Sequence, residues 1–122
     1  MKSLVTIIEI PVTDFKRAVN FYKNILNLPI EEFEMGGNQM GVIQAENELV
    51  NVCLVKGDGY QPTENGTIIY LNAENDLQLI LDRVESNGGK IIVPKSDISP
   101  DMGYYAIFTD TEGNKTGLHS MQ

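Results

Sequence analysis

Apolar positions along the chain change period in a regular order. From Leu4 to Val12 the residues Val5, Thr6, Ile7, Ile8 and Ile10 are mostly β-branched, which predicts a strand. Both of its faces are largely apolar, so both are expected to be covered. Asp14 then offers a helix N-cap, and Phe15, Ala18, Val19, Tyr22, Ile25 and Leu26 recur at spacings of three and four. Lys16, Arg17, Asn20 and Lys23 fall on the opposite face, and Asn27 with Pro29 ends the helix. Three short strands are predicted next, at Ile30 to Glu34, Gln39 to Gln44 and Val50 to Lys56. Gly36-Gly37 and the polar run Glu46-Asn47-Glu48 separate them.

The order then repeats. Gly57 to Gly66 is rich in Gly, Asp, Pro, Thr, Glu and Asn, carries no strand or helix signal and reads as a linker. Beyond it Thr67-Ile68-Ile69 repeats Thr6-Ile7-Ile8 at an offset of 61, and Asn75 stands where Asp14 stood. Leu77, Ile80, Leu81 and Val84 form a second helix face, closed by Gly88-Gly89. Strands are predicted at Lys90 to Val93, Gly103 to Thr109 and Lys115 to Met121, the last two joined by the turn Thr111-Glu112-Gly113-Asn114. The predicted fold is therefore α+β, with two tandem βαβββ modules at 1–57 and 66–122, joined by 58–65 within one domain, 1–122. A sheet with one helix on its back leaves its other face bare. The modules are expected to form a half-open or closed barrel-like cleft, a natural place for a small molecule.

Charge narrows the partners. The formal net charge is −8, which opposes nucleic-acid and anionic-membrane binding. No segment reaches the ~18 apolar residues of a membrane span. The single cysteine, Cys53, permits no internal disulfide, and the N-terminal apolar run is broken by Glu9 and Pro11, so a cytoplasmic protein is expected. Cys53 lies in an apolar strand and reads as a buried, inert thiol.

Three stretches resemble the vicinal-oxygen-chelate superfamily of glyoxalase I, bleomycin-resistance proteins and extradiol dioxygenases. They are Glu9-Ile10-Pro11-Val12-Thr13-Asp14 running into Arg17-Ala18 and Phe21-Tyr22, Gly57 to Gly66 leading into Thr67 to Asn72, and Asp110-Thr111-Glu112-Gly113-Asn114. The chain most resembles the branch related to lactoylglutathione lyase. The resemblance implies paired βαβββ modules, commonly a homodimer, and a cleft in which metal-using members hold a divalent ion such as zinc, nickel or manganese.

The same resemblance places three metal-ligand positions at Ile7, Ile68 and Gly117, none able to bind a hard cation through its side chain. The fourth lies within Val50 to Lys56, where Asn51 is the plausible oxygen ligand. No metal is therefore expected, with a divalent-metal lyase, isomerase or dioxygenase as the alternative. Strand alternation puts Glu9 on the face of Ile7, Tyr70 on that of Ile68 and His119 on that of Gly117. Glu9 and His119 are candidates for an acid–base pair, for parts of a displaced metal site, or for polar anchors of a ligand. Each also has a plain structural reading, as a paired surface carboxylate or a solvated imidazole. Tyr70, Asn51, Met102 and Tyr104 are the candidate ligand contacts. Tyr104 and Tyr105 point to opposite faces, so at most one lines the cleft. The expected function is small-molecule binding or transformation; a non-catalytic interaction module is the third reading.

Overall fold

The computed structural model describes residues 3–46 and 49–122. The expected turn at Glu46-Asn47-Glu48 falls partly outside them. The chain divides into two compact units, Met1–Pro62 and Thr63–Gln122.

In the first unit β1 (Ile7–Pro11), β2 (Ile30–Met35), β3 (Asn38–Ile43) and β4 (Asn51–Lys56) form a sheet in the order β1-β4-β3-β2, with α1 (Phe15–Leu26) between β1 and β2 in sequence. The β1–β4 pair is parallel and the other two are antiparallel. Asp14 caps α1 by accepting from the Arg17 N–H at 3.1 Å. Asn27 ends it in the left-handed conformation, with its own N–H donating to the Lys23 carbonyl.

Helix residues Phe15, Ala18, Val19, Phe21, Tyr22 and Ile25 are buried, as are Ile10, Leu54 and Ile43 on the sheet. Gly41 lets this packing close: a Cβ there would lie 3.3 Å from the Phe15 Cζ. Strand alternation turns Ile7 and Glu9 to the other face, and both are exposed, Ile7 by 61%. The expectation that both faces of the first strand are covered is thus corrected. At the Ile7 end of the strand that side has no covering layer.

In the second unit β5 (Tyr70–Asn72), β6 (Lys90–Ser99), β7 (Gly103–Thr109) and β8 (Lys115–Ser120) form a sheet in the order β5-β8-β7-β6. The β5–β8 pair is parallel, matching β1–β4. Helix α2 (Leu77–Val84) runs on into a 3-10 turn at Glu85–Asn87. Leu77, Leu81 and Val84 are buried, as are Leu118, Ala106 and Phe108 of the sheet. Both sheets are open-ended, so neither closes into a barrel.

Two details depart from the sequence reading. The N-cap of α2 is Asp76 rather than Asn75, its carboxylate accepting from the Gln78 N–H at 2.9 Å. Glu74 adopts a positive φ of 62° and donates to the Asn72 side chain, and this added bend moves the cap along by one residue. Strand β6 also continues past Pro94 to Ser99. It is an edge strand with register shifts on either side of the proline, where a missing N–H is tolerated.

Candidate functional site

The closing hairpin sets the register of the second unit's open face. Asp110 is buried, and its Oδ1 accepts from the N–H groups of Glu112 at 2.8 Å and Asn114 at 2.9 Å. This fixes the turn, so that Thr109 pairs with Lys115, Ile107 with Gly117 and Tyr105 with His119. On the other side β8 meets β5, pairing Tyr70 with Gly117 and Asn72 with His119. Tyr70, Asn72, Tyr105, Ile107 and His119 therefore share one face, and they line a hollow of about 900 Å³. Ile98, Met102 and Met121 complete its apolar wall, and Glu74 and Ser120 also border it.

Gly117 shapes the floor. The Tyr70 ring lies over it, so closely that a Cβ at 117 would stand 2.5 Å from the ring's Cε2. The two tyrosine rings meet edge to face, with centroids 6.4 Å apart at 67°, a favoured arrangement for aromatic pairs. His119 Nε2 hydrogen-bonds the Met102 carbonyl. A carbonyl only accepts, so Nε2 carries the proton and donates. The neutral ring then presents Nδ1 as an acceptor toward the hollow, while the His119 backbone carbonyl accepts from the Ala73 N–H at 2.8 Å.

Of the candidate residues, Tyr70, Met102 and His119 are brought together around this hollow. Tyr104 is not. It turns to the opposite face, where the Lys95 ammonium sits 4.6 Å from its ring centroid. Tyr105 takes the place assigned to Tyr104, because alternation along β7 follows from the hairpin pairing. Counting back evenly from the turn at Thr111 to Asn114 was the signal that would have found it.

Glu9 and Asn51 belong to the first unit, so the suggested Glu9–His119 pair draws on residues of two units. Glu9 accepts a hydrogen bond from the Tyr60 hydroxyl at 3.0 Å. Tyr60 was not singled out from the sequence: it is 51 residues from Glu9 and sits in an irregular loop. Its bond to the carboxylate, then partial burial and the Glu9 charge, push the phenol above its ordinary range. Asn51 is exposed and pairs with Ile7.

The ladders resolve the fourth expected ligand position. Glu9 pairs with Cys53 as Tyr70 pairs with Gly117. Cys53, not Asn51, is therefore the counterpart of Gly117. The thiol is buried, and burial followed by the Glu9 charge raises its pKa, which keeps it protonated. The set Ile7, Cys53, Ile68 and Gly117 does not fit a divalent metal. Among the described residues no group of three His, Cys, Asp or Glu is placed to hold one.

Two βαβββ units, each a sheet with a helix on one face only, define the vicinal-oxygen-chelate architecture. A family model described as the Glyoxalase/Bleomycin resistance protein/Dioxygenase superfamily matches residues 4–118, and the chain belongs to that superfamily. A glyoxylase-like domain-containing protein of Didymella fabae is 28% identical over 110 residues, covering 88% of this chain and 85% of the relative. A solved glyoxylase/bleomycin resistance protein/dioxygenase domain from Frankia sp. EAN1pec superposes with a TM-score of 0.77 at 16% identity, covering 100% of both chains. An antibiotic-binding protein from Streptomyces sp. CB03234 gives 0.72 at 22% identity over 98% of each. A fosfomycin resistance protein from Listeria monocytogenes gives 0.69 at 17% identity, over 98% of this chain and 92% of that one. At these identities the solved structures show the fold. No helix among the described residues is long and apolar enough to cross a membrane.

Proposed function

We propose that the chain binds a small, mainly apolar organic molecule on the open face of its second unit, without a metal. The observation that carries this reading is the hollow of about 900 Å³, walled by aromatic and aliphatic side chains around one imidazole. Ligand sites are commonly of this kind, largely apolar with a few convergent polar groups. Tyr70 and Tyr105 offer ring faces and edges to a flat ligand, and Nδ1 of His119 accepts from a hydroxyl or N–H donor on it. The antibiotic-binding relative from Streptomyces sp. CB03234 has the same architecture and supports the reading.

Transformation rather than binding is the second reading. His119 would then act as a base toward the donor it accepts from, with no step through a metal. The residue types at the four expected ligand positions argue against glyoxalase-type metal chemistry. The homodimer implied by the family resemblance is part of the proposal. It is favoured by the exposed apolar residues Ile7, Phe33 and Met35, and sedimentation at micromolar concentration tests it.

The test is a thermal-shift screen of planar aromatic compounds and polycyclic antibiotics, run with and without EDTA. A ligand at a hundred times its Kd adds about 2.7 kcal/mol to the folded state and raises Tm. We expect hits whose shift survives EDTA and is lost in Tyr105→Ala and His119→Ala. Hits abolished by EDTA and restored by zinc, nickel or manganese would favour the metal enzyme. A screen without hits would count against binding.

A further inference from the structure

The first unit repeats the geometry of the second unit's hollow, and there the equivalent place is filled. In the second unit Tyr70, Ile107, Tyr105 and His119 surround the hollow across the ladders of Gly117 and His119. The same ladder positions in the first unit are Glu9, Val42, Met40 and Val55, across Cys53 and Val55. Met40, Cys53 and Val55 form a buried apolar cluster, and Tyr60 packs against it together with Val42. The Tyr60 hydroxyl reaches the Glu9 carboxylate at 3.0 Å. A phenol thus lies on this face with its ring on the apolar patch and its donor on the carboxylate.

Tyr60 arrives from an irregular segment. Its own backbone N–H makes one turn-type bond, to the Gly57 carbonyl at 3.2 Å, and Gly59 beside it has a φ of 85° with open space around it. The Tyr60–Glu9 bond is solvent-exposed, so Tyr60 can swing out without leaving a buried polar group unpaired. The strap is tied at its tip mainly by the side chain that fills the patch.

We propose that the open face of the first unit is a second small-molecule site, selective for phenols, which Tyr60 holds shut. A ligand phenol takes the Tyr60 position, laying its ring on Met40, Cys53 and Val55 and donating to Glu9. This site lies wholly in the first unit, so it stands or falls separately from binding in the second.

The chain's one cysteine serves as reporter, since Tyr60 covers the cluster that holds Cys53. Iodoacetamide alkylation is followed in the unaltered chain and in Tyr60→Gly, with folding checked by amide NMR. We expect Tyr60→Gly to react about tenfold faster or more, because the thiol no longer waits for the strap to open. The probe 4-methylphenol, the tyrosine side chain as a free molecule, should return the rate toward that of the unaltered chain. 4-Methylanisole, which lacks the donor, should not, and Glu9→Gln in the Tyr60→Gly background should weaken protection by the phenol. In the unaltered chain 4-methylphenol should shift the Tyr60 ring signals at concentrations raised by the factor through which Tyr60 slows alkylation. If Tyr60→Gly fails to fold, Tyr60→Phe keeps the ring and drops the donor, and should alkylate faster than the unaltered chain. Equal protection by the two probes, no protection by either, unmoved Tyr60 signals, or an unchanged rate in Tyr60→Phe would overturn the proposal.

Discussion

Replacing Gly117 by alanine tests how the floor of the second unit's hollow is built. The backbone at 117 has no positive φ to forbid the change, but the new Cβ would stand 2.5 Å from the Cε2 and 2.9 Å from the Cγ of Tyr70. The ring must swing away. Tyr70 is 49% exposed, so about half of its side chain is packed. A tyrosine buries on the order of 200 Å², so roughly 100 Å² returns to water, worth about 2.5 kcal/mol at ~25 cal/mol per Å². Alanine recovers about 0.5–1 kcal/mol relative to glycine in a strand. The expected net loss is about 1.5–2 kcal/mol, read as a lower urea midpoint with an unchanged slope. The double variant with Tyr70→Ala decides the cause. Without the ring there is nothing to displace, so Gly117→Ala should then cost nothing or stabilise slightly. An equal cost in both backgrounds would refute the reasoning.

Leu118→Ala should cost about 2–5 kcal/mol in denaturant unfolding, since Leu118 is fully buried between α2 and the sheet. Asp76 is held below its ordinary carboxylate value, first by the Lys95 ammonium at 2.9 Å and then by the Gln78 N–H. A depressed carboxylate stabilises the fold above its unfolded value and loses that contribution as pH falls through the folded one. Tm measured from neutral to acid pH should therefore fall less in Asp76→Asn than in the parent chain, and parallel curves would contradict this. Long-range proton–nitrogen NMR of the neutral His119 ring should show the Nε2–H tautomer dictated by the Met102 carbonyl. An Nδ1–H tautomer would remove the acceptor assigned to the hollow.

Local signals were readable in the sequence wherever one residue sets the outcome. Asp14 and Asn27 bound α1 because a side-chain acceptor and a left-handed cap act within one turn. The repeat of element order was visible for the same reason. Pro94 misled because it ends most strands, yet an edge strand needs no ladder bond there. Asn75 was displaced as cap by a left-handed Glu74, a conformation no residue in that stretch announces. At the site, alternation placed Tyr70 and His119 on the open face but left Tyr104 and Tyr105 undecided until the hairpin pairing was known. The Tyr60–Glu9 contact had no signal at all, because an irregular loop carries no period from which to place a side chain. The counterpart of Gly117 on β4 also needed the ladder, which selects Cys53 over Asn51.

Metal-free occupation of the second unit's hollow is tested most directly by an amide NMR titration with the strongest thermal-shift hit, carried out in EDTA. Saturable shifts gathered at Tyr70, Met102, Tyr105 and His119, and lost in Tyr105→Ala, are the predicted result. Shifts that appear only after zinc, nickel or manganese is added, or that gather away from those four residues, would contradict it.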